Sequence, residues 1–280
     1  MPLPANAPVP SVASLGFGGR DAEPLATYWS FYWAVAAAQL ARWLPRRPAR
    51  VLDLSGPRAR CAVQAAVAGH TVIELRAPGL PATRGAPPDS RPDPRPGPGG
   101  RRSAGRAAAG AGRVFPIIGD AGRLGFLPSA SMDAVIAEDR VLSRQLVTEE
   151  AVAEIARVLR PGGRMLLCVD SLVLGMAILA EQKYWAHLSD VPRAEVVLIP
   201  WPNGIITRCF WFDELRQLLG EADLEVEWIR PRTVLSPSTV EHVLSTAPME
   251  LSRLVRTELT TPVGAEAVGI HLVASAIKRE

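Results

Sequence analysis

Apolar residues along this chain follow two patterns, short continuous runs and longer stretches at helical spacing. The runs ARVLDLS (49–55), HTVIELR (70–76), VFPIIGD (114–120), MDAVIAE (132–138) and GRMLLCVDS (163–171) are rich in strand formers and bounded by turn residues. Between the first two lies RCAVQAAVAG, a helix for which Gly69 is a natural C-cap. TEEAVAEIARVLRPGG (148–163) reads as an amphipathic helix with Thr148 as N-cap, Glu149 and Glu150 at its positive end, and Pro-Gly-Gly as its stop. An earlier helix is expected from Glu23-Pro24 to about Leu44, where PRRP ends it. Later stretches read as a helix from 171 to about 190, and AEVVLIPWP as a strand or an extended arm. FDELRQLLGEADLEVEWIRP reads as helix then strand, 236–259 as mainly helix, and GIHLVASAIK (269–278) as a final strand. Alternating strands and helices imply a mostly parallel sheet covered on both faces.

Composition interrupts this pattern in two places. Residues 1–22 are Pro/Ala/Gly-rich and are expected to be flexible. Residues 77–113 hold almost no large apolar side chains, cannot build a core, and are expected to be a disordered insertion. The rest, 23–280, is expected to be a single domain. The net charge of +3 is also local, because 77–113 carries seven arginines against two aspartates. The remainder is close to neutral, which disfavours nucleic acid as a partner. Cys61, Cys168 and Cys209 are far apart, and the four histidines show no metal-ligand spacing. Neither a disulfide framework nor a metal is expected, and a reducing cytoplasm fits. The start lacks a basic n-region and a continuous apolar h-region, so no targeting segment is expected. Leu25–Leu44 is interrupted by Thr27, Ser30, Gln39 and Arg42, which argues against a membrane span.

In an open parallel sheet, ligands bind beyond the carboxyl ends of the strands. The residues in question are Asp53 to Ala59, Glu74 to Arg76, Asp120-Ala121 and Glu138-Asp139. Glu138-Asp139 is either a surface pair flanking Arg140 or a carboxylate that orients an acceptor. The aromatic stripe Tyr28, Trp29, Phe31, Tyr32 and Trp33 is packing or a lid over the pocket. His187 is a further candidate base, Trp201–Gly204 a turn, and the cysteines small buried hydrophobes.

Several of these runs, in order, resemble the class I S-adenosylmethionine-dependent methyltransferases of the methyltransferase type 11 kind. VLDLSGPRAR (51–60) is similar to that family's VLDLGxGxG, and IIGDAGRLGFLPSASMDAVIAED (117–139) to GDAxxLPFxxxSFDxV. EIARVLRPGGRMLL (154–167) looks like the helix-RVLKPGGRLxI segment, and 211–231 like FTxxELxxLLxxAGFEV. The resemblance implies a Rossmann-like fold: a mostly parallel seven-stranded sheet, helices on both faces and an antiparallel last strand. It also implies S-adenosylmethionine as cofactor and a small-molecule acceptor. Carried onto this chain, the cofactor residues are Asp53, Ser55, Gly56, Ala59, Glu74, Asp120, Ala121 and Glu138.

The first loop departs from the family. Its three glycines become Ser55, Pro57 and Ala59, with Gly56 between them, and Pro57 fixes φ where a loop could need a positive value. The position expected to be acidic after the second strand is Arg76, which cannot accept hydrogen bonds, while Glu74 lies two residues earlier. The alternative to an active enzyme is therefore a catalytically silent methyltransferase-like partner protein that has lost its cofactor.

Overall fold

In the computed structural model of the protein, the described residues are 25–56, 59–77, 112–201, 203–262 and 268–280. The 1–22 segment, almost all of the 77–113 insertion, Glu23-Pro24 and Pro57 lie outside them. Helix α1 (Ala26–Trp43) precedes β1 (Arg50–Asp53), α2 (Cys61–Val67), β2 (Thr71–Arg76) and β3 (Arg113–Ile118). Strand β4 (Met132–Ala137) leads through a 3-10 turn at Leu142–Arg144 to α3 (Thr148–Val158) and the long β5 (Leu159–Ser171). Then come α4 (Leu172–Glu181), α5 (Trp185–Asp190), β6 (Val197–Pro200), β7 (Ile206–Phe210) and α6 (Phe212–Glu221). The chain ends with β8 (Leu224–Pro231), α7 (Pro237–Thr246), α8 (Leu251–Thr260) and β9 (His271–Lys278).

Strands β3, β2, β1, β4 and β5 pair in parallel in that spatial order. Strand β9 runs antiparallel along β5, with Arg164 opposite Ile277 and Asp170 opposite His271. Strand β8 lies antiparallel on the far side of β9. These strands form the expected sheet with its antiparallel last strand. A hairpin is added to it: β6 is antiparallel to β7, and β7 joins β5 in parallel only at Asp170 and Ser171. The AEVVLIPWP stretch is thus one arm of that hairpin.

Side chains alternate across a strand, so a strand inside a two-faced sheet must be apolar at every position. On β5, Met165, Leu167 and Val169 enter one core and Leu166 and Cys168 the other. The first core adds Val152 and Ile155 of α3 and Leu215 and Leu219 of α6. The second adds Leu40 and Trp43 of α1 and Cys61, Ala62 and Ala65 of α2. The aromatic stripe of α1 is packing: Tyr28, Phe31 and Tyr32 are buried against Val240 and Leu244 of α7, with α8 behind.

Three local expectations are corrected. The helix expected over 171–190 breaks after Glu181, where Lys183 adopts a left-handed φ of 59°. The one expected over 236–259 breaks at Ala247-Pro248, because proline restricts its predecessor to extended backbone. Thr148 is the first helical residue rather than the N-cap; its hydroxyl donates to the Gln145 carbonyl at 2.6 Å, and Val147 caps without a side-chain bond. Among the described residues no helix is long and apolar enough to cross a membrane.

The packing of α1 against α7 and α8 makes Phe31 a sensitive position, since its side chain is fully buried in that cluster. Phe31→Ala is expected to lower unfolding free energy by about 3–5 kcal/mol in urea titrations.

Candidate functional site

The register brings the expected residues to one end of the sheet. Asp53 is paired with Glu74 on β2 and with Ile136 on β4, so the β1 loop opens between two parallel neighbours. This is where a doubly wound sheet leaves a crevice for ligands. Gly56 has φ of 76°, a left-handed turn that glycine adopts without strain. Arg60, also left-handed at φ 54°, then turns the chain into α2.

Ser55 uses its hydroxyl where the resemblance leads one to expect glycine. Its oxygen accepts from the Glu138 amide at 2.9 Å, which ties the β1 loop to the end of β4. Its own amide donates to Asp53 Oδ1 at 2.9 Å. Asp53 is fully buried, and its Oδ2 has no hydrogen-bond partner among the described residues. Burial pushes its carboxyl up to about 6, partly offset by hydrogen bonds from the Ser55 hydroxyl and the Ser55 and Ala62 amides.

Glu74 is also buried, and its Oε2 accepts two bonds from Arg76, at 2.7 and 3.0 Å. The acid and the base that differ from the family pattern are therefore paired with each other. Asp120 is exposed and forms an Asx-turn, its Oδ1 accepting from the Gly122 amide at 2.9 Å. Ala121 beside it is buried, and Ala59 is half-buried.

Glu138-Asp139 is not a surface pair, because Glu138 is buried and its Oε2 accepts from Arg232 Nη2. Arg232, fully buried, also donates through Nη1 to Gln39 Oε1 of α1. Glu138 Oε1 has no partner. Asp139 and Arg140 both have left-handed φ, at 54° and 58°, so the β4 loop is held in an uncommon conformation. Arg140 pairs with the buried Asp170 at the end of β5, at 3.1 Å, and the Asp170 amide donates to Ser143 Oγ at 2.8 Å. Burial outweighs the opposing pull of Arg140 and raises the Asp170 carboxyl above its ordinary value.

Sequence reasoning missed Arg232, Gln39 and Asp170. Asp170 had a usable signal, a carboxylate at the carboxyl end of an apolar run. Arg232 had none, since its partners Glu138 and Gln39 are remote in sequence. His187, the candidate base, lies on α5, which contributes no buried residue.

Among the described residues, a cavity of only about 10 Å³ lies between α1 and this loop, lined by Trp33, Ala37, Ala59, Cys61 and Glu138. Helix α1 thus walls the crevice on the α2 side.

Asp53 carries a pH signature. Its carboxyl titrates near 6 when folded against 3.8 ordinarily, so the folded state binds the proton more tightly. The ionised carboxylate lowers stability above pH 6, and that penalty fades as pH falls toward 4. Asp53→Asn keeps the acceptor for Ser55 and is expected to be more stable than wild type at pH 7.5, by about 2–3 kcal/mol. Paired melts down to pH 4 should show the difference closing.

Residues 99–167 match the methyltransferase domain family. No curated protein sequence matches the chain. Among solved structures, the chain is similar to an S-adenosylmethionine-dependent methyltransferase from Methanosarcina mazei, with TM-score 0.52, 17% identity, and 86% of this chain and 97% of that one covered. It is similar to the Burkholderia thailandensis 1,6-didemethyltoxoflavin-N1-methyltransferase, solved with 1,6-didemethyltoxoflavin and S-adenosylhomocysteine, with TM-score 0.50, 20% identity, and 90% and 81% covered. A Mesorhizobium loti S-adenosylmethionine-dependent methyltransferase gives TM-score 0.52 at 16% identity, with 87% and 98% covered. The chain thus shares the Rossmann-like fold of these methyltransferase structures, and its residues 99–167 are similar to the methyltransferase domain family.

Proposed function

We propose that the protein is a cytoplasmic S-adenosylmethionine-dependent methyltransferase acting on a small-molecule acceptor, with residues 23–280 as one catalytic unit. The observation that supports it most is the orphaned, fully buried Oδ2 of Asp53 beside the left-handed Gly56, at the crevice between β2 and β4. A buried carboxylate without a partner is stabilised by a cation, and the ammonium of the cofactor's amino-acid end is one. The residues fit the group there and at Asp120, whose Oδ1 is held by Gly122 and whose position suits acceptance from an adenine amine. Ser55, Gly56 and Ala59 would line the approach, and Ala121 would lie on the adenine side. Bound there, the cofactor would supply an electrophilic methyl group. The chain's own tasks are to orient it and exclude water. Glu138, fixed by Arg232, holds the β4 loop through the hydrogen bond its backbone N–H donates to Ser55 Oγ, and α1 shields that side.

One observation favours a second reading, a catalytically silent partner protein. The strand-end carboxylate Glu74 is already engaged through Oε2 by Arg76, so that oxygen is not a free acceptor for the ribose.

Isothermal calorimetry with S-adenosylhomocysteine separates the two. Micromolar binding, weakened about tenfold or more by Asp53→Asn, is the expected result. No heat and no thermal stabilisation at millimolar ligand would sink the enzyme reading. Arg76→Gln releases Glu74 and is expected to tighten binding several-fold, roughly 1 kcal/mol. Weaker binding in that variant would place Arg76 itself on the ligand.

A further inference from the structure

A groove of about 370 Å³ lies between the C-terminal half of α1 and β8. Strand β8 is the edge of the sheet, separated from β1 by β4, β5 and β9, so the groove is remote from the crevice. Its wall carries Arg42, Arg164 and Arg230 together with Trp43 and Trp228. Their charges are not balanced. Arg164 has a carboxylate partner, Glu227 at 2.6 Å, while Arg42 donates to the Leu259 carbonyl at 3.1 Å and has no carboxylate partner among the described residues. No carboxylate pairs with Arg230 among the described residues, and its Nε is buried without an acceptor.

Two guanidinium groups are held in place by aromatic rings. Arg230 lies over Trp228 at 4.6 Å from the ring centroid, and Arg164 over Trp43 at 5.6 Å. A guanidinium stacked on a ring keeps its N–H donors in its own plane, free at the edge for a planar or tetrahedral oxyanion. Trp43 is itself fixed by an indole N–H bond to Ser275 Oγ at 2.9 Å. Gln39, also on the wall, has its oxygen committed to Arg232, which leaves its amide hydrogens as the end available to a ligand. Burial, then Arg232, then Arg42 hold the Arg230 guanidinium below the ordinary arginine value. The protein maintains this repulsion with no counter-charge of its own at Arg230.

We propose that this groove is an oxyanion site that takes the phosphoryl group of a phosphorylated small molecule. Arg42 and Arg230 clamp the phosphoryl oxygens, and Trp43, Trp228 and Ile229 offer an apolar wall to the organic part. With Glu227 offsetting Arg164, two positive charges remain, which match a phosphate dianion better than a single carboxylate. The volume suits a small ligand. The two arginines of the clamp lie outside the crevice, and Gln39, through Arg232 and Glu138, is the wall residue that connects the two places.

The full chain is titrated with inorganic phosphate and phenyl phosphate at constant ionic strength, with phenol as the uncharged control. Tryptophan fluorescence and the melting temperature are followed. Both phosphates are expected to give a saturable fluorescence change and a rise in melting temperature, and phenol neither. Arg230→Gln is expected to weaken the response about tenfold, while Arg253→Gln, on the exposed face of α8, leaves it intact. Without ligand, Arg230→Gln should melt no lower than wild type, because it removes an unpaired charge. A lower melt there, equal responses in wild type and Arg230→Gln, phenol binding as well as phenyl phosphate, or no saturable change up to about 10 mM phosphate overturns the proposal.

Discussion

Strand β5 is buried on both faces and paired along both edges, and most of the molecule follows from meeting those demands. Met165 to Val169 alternate between two cores, so helices are required above and below: α3 and α6 on one face, α1 and α2 on the other. Each large apolar side chain covered in this way contributes roughly 1.5–3 kcal/mol. The strand's backbone groups need partners as well, because a buried N–H or C=O without one is costly. Strand β4 supplies one edge in parallel, and β9, arriving from the end of the chain, supplies the other antiparallel. That long return brings α7 and α8 across the aromatic face of α1 and closes the third cluster.

Where the apolar strands end, the chain places its buried charges. Asp53, Glu138 and Asp170 sit at the carboxyl ends of β1, β4 and β5, all deep enough that each requires compensation. Asp170 finds Arg140, and Glu138 finds Arg232, which also reaches Gln39. The second set ties β4, β8 and α1 into one unit around the crevice. Asp53 is the exception: its Oδ1 accepts from the Ser55 amide, and its Oδ2 has no hydrogen-bond partner among the described residues. Where the resemblance leads one to expect glycine, Ser55 accepts from the Glu138 amide, so the loop is tied to the end of β4 by a hydroxyl. The paired Arg76 and Glu74 show the same economy, an altered position answered by its neighbour on the same strand face.

Strand existence and the order of elements were legible because they rest on short-range periodicity, whereas the antiparallel direction of the last strand came from the resemblance carried by contiguous segments such as EIARVLRPGGRMLL. Asp53, Ser55, Gly56, Glu74 and Asp120 were placed at strand ends for the same reason. Helix breaks at Lys183 and at Ala247-Pro248 were only partly legible, since backbone reversal at a lysine leaves no compositional mark. The β6–β7 hairpin was ambiguous for a different reason: it joins β5 over just two residues, so its pairing is decided by packing against α4 and not by its own sequence.

What the sequence by itself determined is therefore the strands and which residues lie at their carboxyl ends, because alternation and turn chemistry act within a few residues. Tertiary structure alone decided which charges meet. Arg232 lies 94 residues from Glu138 and 193 from Gln39, yet all three are buried together. Arg230, two positions earlier near the end of β8, has no carboxylate partner among the described residues. Coulomb interactions and desolvation depend on distance in space, and no local pattern encodes a distance that the fold creates.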